Sequence, residues 1–123
     1  MLKQLDGCYT KLLRMVLNVS WRDHLTNDQL YRDLPKVSLK VQQRRMRLSG
    51  HCARHPEEVA SKLILWQPTD GKPKRGRRAM TYIDNLMNDT GTESVTEIRG
   101  LMEDRTAWKK RVNDVVRPGG RQK

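Results

Sequence analysis

The spacing of apolar residues along the chain is typical of helices. Residues 2–19 carry apolar side chains three or four positions apart, which predicts an amphipathic helix that packs along one face. The members of that face are Leu2, Leu5, Tyr9, Leu12, Leu13, Val16 and Leu17. Trp21 follows in a predicted turn, where we expect it to pack as an anchor. Thr26 and Gln29 form a capping box that begins a short helix ending before Pro35.

The long helix predicted from Lys36 to Arg54 has an apolar side and a cationic side. Its apolar side is predicted to consist of Val37, Val41, Leu48 and Cys52. The cationic side recurs every three or four residues, which places its members in one line about 27 Å long. These residues are Lys36, Lys40, Arg44, Arg47, His51 and Arg54. No acidic residue lies between Lys36 and Arg54, so this line is either a phosphate-binding surface or only a solvated face.

Shorter elements complete the predicted all-α fold of about six helices. A helix begins near Glu57, and the run Leu63–Trp66 is either its end or a very short strand. Three helices follow after a long basic loop at residues 68–80; they begin at Thr81, Ser94 and Asp104. We expect residues 1–117 to form one module and residues 118–123 to be a disordered tail.

Charge is concentrated in the middle of the chain. Residues 36–80 hold twelve Lys and Arg against three Asp and Glu, or +9, while residues 1–35 (five against four) and 81–123 (eight against seven) each carry +1 of the net +11. Part of the excess lies in the loop, as Lys72, Lys74, Arg75, Arg77 and Arg78. A basic block of this kind indicates a nucleic-acid backbone as partner. Five phosphate contacts would lower the affinity roughly 500-fold between 50 and 200 mM salt.

Other kinds of function find little support in the sequence. No run of eighteen apolar residues exists to span a membrane, and two cysteines among 123 residues favour an intracellular, reducing location, nuclear or cytoplasmic. His51, Cys52 and His55 lack a fourth nearby zinc ligand, so we expect no metal and no cofactor. No nucleophile or acid–base group has a recognisable context, so we expect neither a catalytic site nor a small-molecule substrate. Trp108 is predicted to lie in the core, whereas Trp66, next to the loop, stays open for base stacking.

Four motifs, in order, resemble a known family over residues 5–112. They are Leu5–Thr10 leading to Leu17–Trp21 and His24–Asn27; Arg44–Arg54, similar to RR-x-R-x-x-GH-x-x-R; the basic loop at 74–77 before Thr81–Asp84; and Asp104-Arg105 with Trp108, similar to DR-x-x-W. This order resembles the region after the polymerase core in non-LTR (LINE-type) retrotransposon reverse transcriptases.

The resemblance implies a C-terminal fragment of an RNA-directed DNA polymerase that is not an enzyme by itself. The polymerase active site would lie upstream of this chain, and the rest of the reverse transcriptase would be a further partner. In the intact enzyme such a region would hold template RNA or target DNA. The alternative is a structural domain that docks on the polymerase thumb, with its charge serving only solubility.

Overall fold

The computed structural model describes residues 2–68, 76 and 79–116, and within them the chain is helical with no strand. The elements are α1 (Leu2–Val16), a 3-10 turn (Trp21–Asp23), α2 (Asn27–Tyr31), α3 (Val37–Ala53), α4 (Val59–Ile64), α5 (Tyr82–Thr90), α6 (Val95–Glu103) and α7 (Arg105–Asp114). The predicted all-α class is confirmed, with seven α-helices in the described ranges. The expected tail at 118–123 lies outside them.

The ends of these helices follow local rules that the sequence displays. Thr26 and Thr81 each accept a hydrogen bond from the backbone of the third helical residue, and the side chains of Gln29 and Asp84 accept one from the backbone amide of the cap. Asp104 accepts from the amides of Thr106 and Ala107, which starts α7. Because these caps need only neighbours in the chain, the predicted starts of α2, α5 and α7 are confirmed. The run Leu63–Trp66 forms the end of α4 and the residues directly after it, and it is not a strand.

The core is assembled from five helices and lies on the inner side of α3. It contains nine buried side chains from α3 to α7: Met46, Cys52, Ile64, Ile83, Leu86, Ile98, Met102, Trp108 and Val112. Six of them are fully buried or nearly so, and the tryptophan predicted for the core is 3% exposed. The second half of the chain therefore encloses the C-terminal part of α3.

The prediction of which side of α3 packs against the core is wrong. Val41 and Leu48 are exposed, Val37 is only partly buried, and of the four predicted residues Cys52 alone is buried. The buried face instead carries Gln43, Met46, Ser49, Gly50 and Cys52. Small and polar residues share this face with Met46 because α7 approaches α3 closely at Gly50, and the pattern of apolar residues does not register that kind of contact.

The N-terminal helices pack on the beginning of α3 and bury little. Asp6 of α1 accepts hydrogen bonds from Ser38, at 2.9 Å from its backbone nitrogen and 2.7 Å from its Oγ. Tyr31 of α2 reaches Thr10, with 2.9 Å between the two hydroxyl oxygens. No residue of α1 is fully buried, and Trp21, predicted to be an anchor, is 77% exposed. The amphipathic helix predicted here is present, but only part of its apolar face is covered.

Among the described helices, none is both long enough and apolar enough to cross a bilayer.

Candidate nucleic-acid interface

Four cations of the predicted line lie on the outer side of α3, three of them within the helix and Lys36 at its N-cap. Lys36, Lys40, Arg44 and Arg47 are all exposed. They fall within an arc of about 80° on a helix that advances 100° per residue. Within the described part of the chain none of the four forms an ion pair, and α3 contains no acidic residue. Together they form a continuous cationic surface, which we call the α3 basic face.

Arg45, next to the basic face in sequence, has a different role. Its Nε lies 3.2 Å from Oδ2 of Asp89 at the end of α5, and the two side chains are only 16% and 8% exposed. That oxygen meets the distance for an ion pair but has no aligned hydrogen bond. Burial raises the pKa of Asp89, and the nearby Arg45 charge and a hydrogen bond from the Gln42 side chain only partly oppose this. Arg45 fastens α3 to α5 and is not available to a ligand.

Arg54, the last cation of the predicted line, also serves the fold. Its side chain is half-buried, and Nη1 donates a 2.7 Å hydrogen bond to the carbonyl oxygen of Met102 at the end of α6. A basic group at the last carbonyls of a helix is favourable, because those carbonyls have no partner within the helix. The structure therefore places Arg54 at a junction between helices and not with the four exposed cations.

Gly50 and Trp108 make the tightest contact between α3 and α7. A Cβ atom added at Gly50 would overlap Cδ1 and Nε1 of the indole ring. The same Nε1 donates a 2.8 Å hydrogen bond to the carbonyl oxygen of Met46. Gly50 belongs to the motif at Arg44–Arg54, and Trp108 belongs to the motif that begins at Asp104. Two motifs that are far apart in the sequence therefore meet in the core.

His51 is exposed and has other titratable side chains next to it. Its Nε2 lies 3.6 Å from Oε1 of Glu58, and its ring contacts that of His55 with centroids 4.5 Å apart and planes tilted by 40°. His55 in turn lies 3.2 Å from Glu57. A backbone hydrogen bond, with a further contribution from His55, lowers the pKa of Glu57. His51 thus belongs to a cluster of two imidazoles and two carboxylates.

The sequence raised His51, Cys52 and His55 as candidate zinc ligands. Cys52 is buried in the core, where desolvation raises the pKa of its thiol. Within the residues that the structure describes, no group of three or more His, Cys, Asp or Glu side chains is placed to hold a metal ion.

The basic loop lies almost entirely outside the described residues. This applies to all five of its predicted contacts, Lys72, Lys74, Arg75, Arg77 and Arg78. Of its neighbours, Trp66 is 57% exposed just after α4, so its indole can be reached by a ligand. Stacking of a base on Trp66 stays a prediction.

The sequence reasoning missed which arginines serve the fold and which face solvent. Arg44, Arg45 and Arg47 look alike in the sequence, yet among the described residues an acidic side chain faces the middle one alone. Helical geometry offered a partial signal, because Arg45 lies about 100° away from Arg44 around the axis. Nothing in the sequence pointed to Asp89 as its partner.

No family model matches the sequence, and no match at a significant level was found among curated proteins or solved structures.

Proposed function

We propose that this chain binds nucleic acid by contacting phosphates with the α3 basic face. The observation that carries the proposal is the group Lys36, Lys40, Arg44 and Arg47, exposed on one side of one helix and free of ion pairs to other described residues. Charges that served only solubility would more often alternate in sign along a helix. A row of cations on one side of a helix can neutralise several phosphates of a nucleic-acid backbone, and such contacts read little sequence.

The rigid attachment of α3 supports the same proposal. The ion pair of Arg45 with Asp89, the hydrogen bond from Arg54 to Met102 and the contact of Gly50 with Trp108 all hold the inner side of this helix. The outer side is then presented in a fixed orientation. Binding needs less ordering of the protein when the contacting residues stand on a packed helix.

The loop and the motif resemblance extend the proposal. Lys72, Lys74, Arg75, Arg77 and Arg78 would add contacts to the same backbone. The order of motifs supports an origin in a non-LTR retrotransposon reverse transcriptase, with template RNA or target DNA as the ligand and the nucleus or cytoplasm as the location. The chain itself would supply binding and no catalysis.

Charge reversal on the basic face tests the proposal. The double variant Arg44→Glu/Arg47→Glu should lower affinity for duplex DNA, for single-stranded RNA and for an RNA–DNA hybrid by about 100-fold at low salt. Its matched control is Arg99→Glu/Lys109→Glu, which makes the same change in net charge at exposed positions of α6 and α7. Both variants should keep the helical circular dichroism of the wild type. Equal losses in the two variants would show that only net charge matters and would overturn the assignment to α3.

A further inference from the structure

The α1 helix carries a second apolar stripe that the described fold leaves uncovered. Its packed side consists of Leu2, Tyr9 and Leu13, all partly buried. About 100° around the axis lies an exposed row with intervals of three, four and three residues. The row consists of Leu5, Cys8, Leu12 and Met15. We call it the α1 stripe.

The spacing of the α1 stripe is that of a two-helix interface. Intervals of three, four and three are the heptad positions at which one helix packs its apolar residues against another. Leu12 is 57% and Met15 68% exposed, and the neighbouring Val16 is 79% exposed. A set of large apolar side chains along one face is more than scattered surface residues, and such a patch marks an interaction site.

The charged residues beside the α1 stripe indicate which charge a partner should carry. Lys11 is exposed beside Leu12, and together with Arg14 and Met15 it lines a hollow of about 240 Å³. The two carboxylates nearest in sequence are engaged within the fold: Asp6 accepts from Ser38, and Asp23 accepts from the amide of Ser20. Arg14 is itself held by hydrogen bonds to the carbonyl oxygen of Leu25 and to Oδ1 of Asn27. Lys11 therefore supplies the positive charge beside the stripe, and it complements an acidic side chain.

We propose that the α1 stripe binds an amphipathic helix of a partner protein, with apolar residues at heptad spacing and Glu or Asp beside them. A second copy of this chain fits poorly, because both copies carry +11. In an antiparallel pair of α1 helices, the two Lys11 side chains would also face each other near the centre of the stripe. The narrow stripe favours a helix over a membrane surface, since α1 is held to α3 along its adjacent side.

Two designed helical peptides provide the probe. Both carry Leu at the apolar heptad positions; one has Glu at the flanking positions and the other has Lys. The Glu peptide should bind the wild-type chain with a dissociation constant of about 10–100 μM, typical of a small interface, and the Lys peptide at least about 10-fold more weakly. The variant Lys11→Glu should reverse this preference. Its control, Lys110→Glu at an exposed position of α7, should not.

Leu12→Glu tests the apolar part and distinguishes the alternatives. It should abolish peptide binding while circular dichroism and nucleic-acid affinity stay unchanged, because Leu12 is exposed and not on the basic face. Equal binding of the two peptides, or none, overturns the proposal. So does a wild-type dimer in sedimentation that Leu12→Glu dissociates, which would identify a second copy as the occupant. Release from phosphatidylserine vesicles by Leu12→Glu, without peptide binding, would identify a membrane instead.

Discussion

Gly50 of α3 lies directly against the indole of Trp108 in α7, at a distance that leaves no room for a Cβ atom. The indole nitrogen donates to the carbonyl of Met46, one turn earlier in α3. The contact thus combines close backbone approach, burial of a large aromatic ring and a hydrogen bond. It fixes the orientation of α3, and with it the direction in which the basic face points.

Replacing Gly50 with alanine should destabilise the protein by about 1–3 kcal/mol, because the new methyl group must displace the indole from a well-packed core. Thermal or urea unfolding followed by tryptophan fluorescence measures the loss. Gly100→Ala is the matched control, since this glycine lies in α6 with open space around it. The control should be neutral or stabilise by up to about 1 kcal/mol through helix propensity. A stable Gly50→Ala variant would contradict the tight contact.

Trp108→Phe should cost about 1–3 kcal/mol, because the buried carbonyl of Met46 loses its indole donor while most of the apolar area is kept. Unfolding by denaturant, followed by far-UV circular dichroism, gives the change in free energy. Trp21→Phe, at a side chain 77% exposed, should leave stability within about 0.5 kcal/mol of the wild type. Similar effects of the two replacements would argue against a core role for Trp108.

Asp6→Ala should loosen α1 from α3. Asp6 accepts two hydrogen bonds from Ser38 across 32 positions of sequence, and losing such charge-assisted bonds costs about 1–3 kcal/mol. Amide hydrogen exchange should then accelerate in α1 more than in the core helices α6 and α7. Asp33→Ala, at an exposed position between α2 and α3, removes the same charge and should not change exchange in α1.

The buried carboxyl group of Asp89 should make the stability of the protein depend on pH. Burial raises its pKa in the folded state above the ordinary value of 3.8, so the folded protein holds this proton more tightly than the unfolded chain. The contribution of Asp89 to stability is then fully present below the unfolded pKa and is lost as pH rises through the folded pKa. The variant Asp89→Asn serves as the reference, because the asparagine side chain does not titrate.

The free energy of unfolding of the wild type should therefore fall relative to Asp89→Asn as pH rises from below 4 towards neutrality. Urea unfolding of both proteins at a series of pH values measures the difference. If the difference moved in favour of the wild type with rising pH, the ion pair with Arg45 would outweigh burial.

The salt dependence of binding should report the number of contacts on the α3 basic face. Four phosphate contacts predict a loss of about 150-fold in affinity for duplex DNA between 50 and 200 mM salt, before any loop contact is added. Arg44→Gln/Arg47→Gln should reduce the slope of log affinity against log salt by about two. Arg99→Gln/Lys109→Gln should leave the slope unchanged. An unaltered slope in the first variant would remove these arginines from the interface.

The features that the sequence predicted correctly are local ones. The all-α class follows from the spacing of apolar residues, and the starts of α2, α5 and α7 follow from caps at Thr26, Thr81 and Asp104. Each depends on residues within one helical turn of one another, so the chain alone carries the information. The position of Trp108 in the core was also predictable, because a large aromatic residue with valines at helical spacing usually packs inward.

The tertiary structure alone decided which face of each helix is covered. Val41 and Leu48 are more apolar than Ser49 and Gly50, yet the small residues are buried, because α7 needs close approach to seat Trp108. Arg45 faces inward because Asp89 lies there, 44 residues further along the chain. The sequence determined the helices and the cationic block; long-range packing decided which arginines hold the fold together and which remain exposed on the surface.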